Sequence, residues 1–335
     1  MDGTIKEREF LWAIGGKVEN KYTVEDTTVY SIEENKWYSS EKNQLTPMPY
    51  PVQGAGWTFF NKKIFCFGGK TEPHSGCSDY VQVYNIAKDT WELYDRMPEP
   101  RSKLGKFYPV FKNRYIYLFG GDNAQGPANR VNWNWRYDLL KDEWDMDVAD
   151  APYSQSFPLP TYHDGWLYYS TGNTGNQPEQ NTYEGSLNQR YNPQTDQWEV
   201  ITHCPIPTTD GSGDKWKNEL HFIGGWNINE AFYNPERENY KGLVKRQHLI
   251  YNYESDTWRL APELPGNWHH GGTRGSKNYL WRFLGTIDED IDIRSSNPHS
   301  NKIFRWDGTS WTEMQEAPVK KMNFGTIYTN IGPKI

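Results

Sequence analysis

The chain is poor in cysteine, with Cys66, Cys77 and Cys204 the only three in 335 residues. Their number is odd and no two stand as CxxC, so neither a disulfide framework nor a thiolate zinc site is expected. Long apolar runs are missing as well. No stretch approaches the roughly 18 residues of a membrane-spanning helix, and the opening residues, Met1 to Lys6, carry charges where a secretory leader has its apolar core. These absences point to a soluble, cytoplasmic protein with reduced thiols and no membrane contact. Positive charge is in deficit too: 36 Lys and Arg stand against 43 Asp and Glu, giving a net charge of -7. A general nucleic-acid surface needs a basic footprint for phosphates and is excluded. Any anionic ligand has to be held locally.

What the chain has instead is aromatic surface. Mean hydropathy is -0.92, yet 16 Trp and 23 Tyr raise the aromatic share to 16%, so the core is expected to be built from rings. These rings recur with a period. A strand ending in Gly-Gly, or a remnant of it, occurs six times, closing at Gly16, Gly69, Gly121, Gly172, Gly225 and Gly285. Each is followed by an aromatic residue (Tyr30, Tyr84, Tyr137, Tyr191, Tyr251, Trp306) and then by a tryptophan (Trp37, Trp91, Trp144, Trp198, Trp258, Trp311). The tryptophans are 54, 53, 54, 60 and 53 residues apart. Fixed self-similarity of this length marks a stack of identical supersecondary units.

A Gly-Gly strand, then Tyr, then Trp, with linkers such as MPYPVQGAG (48–56) and MPEPRSKLG (97–105), resembles the kelch repeat over essentially the whole chain. The resemblance implies an all-β fold in a single domain, 1–335: a six-bladed kelch β-propeller. Each blade is expected to be a four-stranded antiparallel sheet, with strands a to d counted from the axis outward. Blade 1 lacks room for its own strand a before Phe10, whereas Met322 to Thr329 reads as a strand a with nothing after it. The C-terminal segment is therefore expected to close the ring as the innermost strand of blade 1, and truncation before Lys320 to leave it open.

In such a ring the d-to-a links and the b-to-c loops share one face. The b-to-c distances, from second glycine to aromatic, are 14, 15, 16, 19, 26 and 21 residues for blades 1 to 6; loops this long are more often functional than spare, which raises the rim over blades 4 to 6. Aligning the inner strands on Gly56, Gly105, Pro158, Gly213, Gly271 and Gly325, and using the two-residue alternation of strands, assigns Arg101, Lys103, Asn267, His269, Lys321 and Asn323 to the channel mouth. A local cluster of cations on an acidic protein suits a carboxylate or phosphate. Arg101 has a second reading as a blade-to-blade tether, and His270, on the opposite register, reads as packing. His269 is the candidate general base, because imidazole titrates near working pH. Once the repeat and strand-b tryptophans are set aside, Trp57, Trp133, Trp135, Trp216, Trp226 and Trp268 remain. Trp226 and Trp268 are candidates to stack on a flat ligand or to pack beneath a long loop.

The longest loop, in blade 5, carries Arg237-Glu238-Asn239-Tyr240 and resembles the corresponding blade of bacterial N-acetylneuraminate mutarotases over about thirty residues. That resemblance implies a sugar acid and an acid/base pair, with Glu238 as a catalytic candidate and Arg237 as a ligand contact. Blade 4 departs from it. The acidic run Asp288, Glu289, Asp290, Asp292 lacks the glycine and closing glutamate of an EF-hand loop and reads as solvated. Three functions follow: an isomerase or lyase acting on an anionic, sugar-like compound without a cofactor; a protein-interaction propeller without catalysis; and a metal-assisted enzyme using His269 and a divalent ion. A monomer or weak oligomer is expected in each case.

Overall fold

The computed structural model describes residues 8–71, 76–123, 130–174, 185–227, 243–244, 246–288 and 298–333, with residues 226, 227, 243, 244, 267, 287 and 288 described by their backbone alone. It is an all-β ring of six blades, and among the described residues the one helical piece is a 3-10 turn, Ser40–Lys42. Blade 2 shows the complete unit, with strand a Gly56–Phe60, b Lys63–Phe67, c Val81–Asn85 and d Thr90–Tyr94 hydrogen-bonded in that order. Blades 4 and 5 repeat it, their inner strands being Leu159–His163 and Ser212–Trp216. Strands a and b join through two-residue turns. Asn61-Lys62, Asp164-Gly165 and Lys217-Asn218 all have positive φ at both positions, the type I′ geometry that matches strand twist.

The ring closes as the sequence suggests. Gly325–Thr329 pairs antiparallel with Phe10–Ile14, from Ile14 against Gly325 to Phe10 against Thr329, and a bridge between Lys17 and Met322 extends the seam. Joining the two ends of the chain in one sheet covers the inner edge of Phe10–Ile14, which would otherwise be left unpaired.

Blade 3 departs from the expected four strands: its sheet has three, Tyr115–Phe119, Asn134–Asp138 and Glu143–Asp145. Its inner segment contains Pro109, which has no N–H for a ladder. A side chain takes over instead. The Tyr108 hydroxyl accepts from Gly105 N at 3.0 Å and donates to Phe119 O at 2.8 Å. Blade 6 carries a bulge between Phe283 and Gly285, so two short inner pieces, Asn267–His269 and Gly272–Gly275, both pair with the long strand Leu280–Asp288.

The repeated aromatics are the glue. Each strand-c ring meets its strand-d tryptophan with centroids 4.6–5.4 Å apart: Tyr30–Trp37, Tyr84–Trp91, Tyr137–Trp144, Tyr191–Trp198, Tyr251–Trp258 and Trp306–Trp311. The tyrosine hydroxyl then donates to a carboxylate five residues on, as in Tyr84 to Asp89, Tyr191 to Asp196 and Tyr251 to Asp256. That carboxylate accepts a backbone N–H from the preceding blade: Thr46 on Asp89, Ala149 on Asp196, Thr202 on Asp256. The indole N–H follows it across the seam, from Trp91 to Thr46 O, Trp198 to Ala149 O and Trp258 to Thr202 O. Tyr, Asp and Trp at fixed spacing are thus one device that packs within a blade and hydrogen-bonds to its neighbour.

The Gly pairs serve the same joint at the inner end. The second glycine donates its N–H to the next blade's linker in blades 1, 2, 3, 5 and 6: Gly16 to Val52 O, Gly69 to Arg101 O, Gly121 to Gln155 O, Gly225 to Trp268 O and Gly285 to Lys321 O. At Gly16 φ is 97° and a Cβ would lie 2.6 Å from Met322 O, so backbone conformation and space both demand glycine.

Candidate functional site

The face formed by the b-to-c loops and the starts of the inner strands, here the upper face, is organised by two rings of residues. The inner ring has one positive-φ residue per blade: Gly54, Lys103, Phe157, Asp210, His270 and Asn323, with φ between 51° and 61°. Their backbones link around the axis, with Phe157 N donating to Lys103 O, His270 N to Asp210 O, Asn323 N to His270 O and Gly54 N to Asn323 O. Two residues earlier in each blade stands a buried ring, Val52, Arg101, Gln155, Thr208, Trp268 and Lys321, every member 1% exposed or less.

This buried ring accounts for the strongest cations that the sequence placed at the mouth. Arg101 is 0% exposed, and its guanidinium donates to Leu118 O, Gly120 O and Trp133 O while lying 3.8 Å from the Trp135 ring. Burial pulls it down to about 9. Lys321 is equally buried, its ammonium 2.7 Å from Ala13 O and 2.8 Å from Asp26 Oδ2. Burial alone would raise the Asp26 carboxyl, but the Lys321 charge and hydrogen bond hold it below its ordinary value. Gln155 performs the Arg101 task in blade 4, with its amide on Tyr169 O, Thr171 O and Leu187 O. These side chains fix the inner joints. Lys103 does stand on the inner ring, where it is paired with Asp122 at 2.5 Å.

The sequence alignment of the inner strands slips by one residue in blades 4, 5 and 6. Pairing identifies the equivalent positions as Gly56, Leu159, Ser212, Gly272 and Gly325, each opposite the residue before its blade's Gly pair. A slip of one moves a strand's side chains to the other face. His270 is therefore the ring residue, and His269 is the buried one at 7% exposed, its backbone paired with Thr286 and its imidazole 4.4 Å from that of His270. Burial, then the neighbouring His270, holds His269 well below its ordinary value. His270 Nδ1 lies 3.6 Å from Asp210 Oδ1; burial and the Lys106 charge draw it down to about 3. Asn323 stands on the inner ring, its amide donating to Gln53 Oε1 at 3.2 Å. Trp268 is 1% exposed, with its indole N–H on Pro265 O and its ring edge-on to Phe304, so its face is not offered to a ligand. Trp226 pairs through its backbone with Val244. Arg237, Glu238 and most of the acidic run from Glu289 lie outside the described residues.

Just beneath the ring the axis is narrow. Lys106, which the sequence reading passed over, extends from blade 3 across the axis, and its ammonium donates to Gly271 O at 2.6 Å and Gly211 O at 3.4 Å. Burial, then the Arg282 charge, draws it down to about 7. Beside it is a cavity of only about 20 Å³. Below, Arg274 pairs with Asp214 at 3.1 Å and lies over the Phe107 ring at 3.8 Å. Among the described residues no three His, Cys, Asp or Glu side chains gather as metal ligands would.

The profile of the attractin/LZTR1 β-propeller family matches residues 11–275. The chain belongs to that family. Its curated relatives are kelch proteins. Kelch repeat and BTB domain-containing protein 1 of Vaccinia virus (strain Copenhagen) is 24% identical over 260 residues, 77% of this chain and 41% of that protein. Kelch-like protein 23 of Homo sapiens is 24% identical over 201 residues, 58% of this chain and 33% of its own length. The propeller thus spans well under half of these relatives. A solved structure, that of YjhT, superposes with a TM-score of 0.66 at 13% identity, covering 91% of this chain and 97% of its own; it shares the fold. Among the described residues no helix is long and apolar enough to cross a membrane.

Against this family fold, the missed residues had one usable signal. In the kelch propeller the position after each inner-strand anchor reads Trp57, Lys106, Pro160, Gly213, Thr273 and Thr326. A single lysine in that series marks a cation on the axis.

Proposed function

We propose that this propeller is a recognition module that binds a protein partner across its upper face. The observation that carries this reading is the narrow upper end of the axis: the cavity just below the ring measures about 20 Å³, whereas pockets that enclose a small organic ligand run to roughly 300–1,000 Å³. A cavity this size holds a water molecule, not a sugar. Arg101 and Lys321, the cations that would draw an anionic metabolite inward, are occupied by Leu118 O, Gly120 O and Trp133 O and by Asp26. Recognition then falls to the loops around the ring, a broad surface suited to a macromolecule. The vaccinia relative carries kelch repeats beside a BTB domain, as its name states, and this is consistent with a propeller used for contact.

The test is a map of the face. A partner captured from the source cells is purified and titrated directly against the chain. Glu19→Arg and Thr71→Arg, on upper-face loops, should weaken binding tenfold or more, while Lys62→Glu and Asp164→Arg, on turns of the opposite face, should leave it unchanged. Equal loss from both faces, or from neither, defeats the proposal.

A second reading, turnover of an anionic sugar-like compound, has the Asp210–His270 pair in its favour, because these two groups stand together on the inner ring. It also keeps the resemblance of the blade 5 loop to the mutarotases.

A further inference from the structure

The small cavity beside Lys106 has an unusual wall. Lys106, Arg274, Ser212 and Thr273 line it, with Asp210 at its upper side. Arg274 is 8% exposed; one of its terminal nitrogens meets Asp214, but its Nε is buried without a hydrogen-bond partner among the described residues. The same Asp214 oxygen also accepts Gly275 N at 2.7 Å, so it is already shared. The Ser212 and Thr273 hydroxyls lie 2.6 Å apart and use one proton between them, leaving the other free to donate. Behind the wall, Arg282 is 1% exposed. Its Nη1 donates to Gly272 O, Phe283 O and Leu284 O, and its Nε and Nη2 have no partner among the described residues. Two buried cations, Arg274 and Arg282, and the half-buried Lys106 therefore converge on this part of the axis against two carboxylates, Asp210 and Asp214.

Buried charge without compensation is costly, and buried donors without acceptors are rare in native proteins. Water supplies an acceptor but no charge. We propose that the cavity is a site for one monatomic anion, of the chloride class, held by Lys106, the Arg274 Nε–H and a hydroxyl of the Ser212–Thr273 pair. Its size sets the ligand: about 20 Å³ admits one water-sized body, which excludes sulfate, phosphate and carboxylate metabolites. Its position sets the role. An anion there ties blade 3, through Lys106, to blade 5, through Ser212, and to blade 6, through Arg274 and Thr273, across the axis. Ring closure at Gly325–Thr329 joins neighbours; the anion joins opposite sides.

Crystals grown in sodium bromide, measured at the bromine absorption edge, decide the matter. The expected result is an anomalous peak in the cavity within hydrogen-bond reach of the Lys106 ammonium. A peak-free cavity holding only a water overturns the proposal. In solution, replacing gluconate by chloride at constant ionic strength should raise the melting temperature by about 2 °C once the site is tenfold saturated. The Lys106→Met variant should lose that difference. An equal response in wild type and variant, or none in wild type, also counts against the site.

Discussion

Replacing Lys321 by Met tests whether the cations near the axis hold the ring together. The side chain is 0% exposed and its partner Asp26 is 5% exposed. The ammonium contacts Ala13 O, Asp26 Oδ2 and Thr28 Oγ1, all in blade 1, from the linker that leads into the closing strand. Methionine keeps the length and apolar stem but leaves the Asp26 carboxylate buried beside a thioether. Breaking a buried pair from one side costs about 3–5 kcal/mol, most of it the stranded charge. At roughly 2 °C per kcal/mol for a chain of this size, the melting temperature should fall by about 6–10 °C. Asp26→Asn strands the lysine in turn. The double variant removes both charges and should be less destabilised than the sum of the singles by about 2 kcal/mol. The pH dependence has a definite sign: the Asp26 carboxyl is depressed in the fold, so its contribution is complete above the unfolded value near 4 and is lost as pH falls through the lower folded value. Urea denaturation at pH 7 and pH 3 measures both. A Lys321→Met loss below 1 kcal/mol, or a strictly additive cycle, refutes the reasoning.

Two further outcomes follow from other joints. His221 and His248 are 2% and 0% exposed, with their ring nitrogens 2.8 Å apart beneath Trp216, Trp306 and Trp311. Burial draws them down to about 4 and about 3. A base depressed in the fold must stay neutral, so stability is complete above the unfolded value near 6.5 and falls as pH drops toward 4, by roughly 3 kcal/mol for each histidine. His221→Tyr with His248→Asn, the residue types found at the matching sites of blade 4, should flatten that slope in denaturation curves between pH 7 and pH 4.5. Gly16→Ala forces a side chain into a φ of 97° and against Met322 O; it should cost at least about 2 kcal/mol by chemical denaturation, and a neutral result would mean that the Gly pair is not required at the closing joint.

The propeller was legible in the sequence because its joints use nearly the same residue types six times. Tyr, Asp and Trp at constant spacing mark contacts that blades 2 to 5 repeat, with Asn35 for the Asp in blade 1 and Trp306 for the Tyr in blade 6, and the C-terminal segment reads as a strand a with no blade of its own to join. The site was harder for a physical reason. Sequence alignment of inner strands rests on a small residue, but in blades 4 to 6 small or kinked residues stand side by side, as in Pro158-Leu159, Ser212-Gly213 and Gly271-Gly272. A one-residue error there exchanges His269 with His270 and puts Gly211 in the place of Asp210. Charge misled in a different way. Arg101 and Lys321 look like ligand anchors by type, yet their acceptors are carbonyls and one aspartate far along the chain, which no local pattern reveals. Lys106 was hidden because a lone lysine after a glycine carries no motif.

The claim that the upper face recognises a macromolecule meets its most direct test in thermal denaturation of the wild-type chain with a panel of sugar acids, each at millimolar concentration and matched ionic strength. No sugar acid should raise the melting temperature beyond its salt control. A saturable rise of about 2 °C or more with one of them, lost in His270→Ala, would contradict the account and return the ring to the role of an active site.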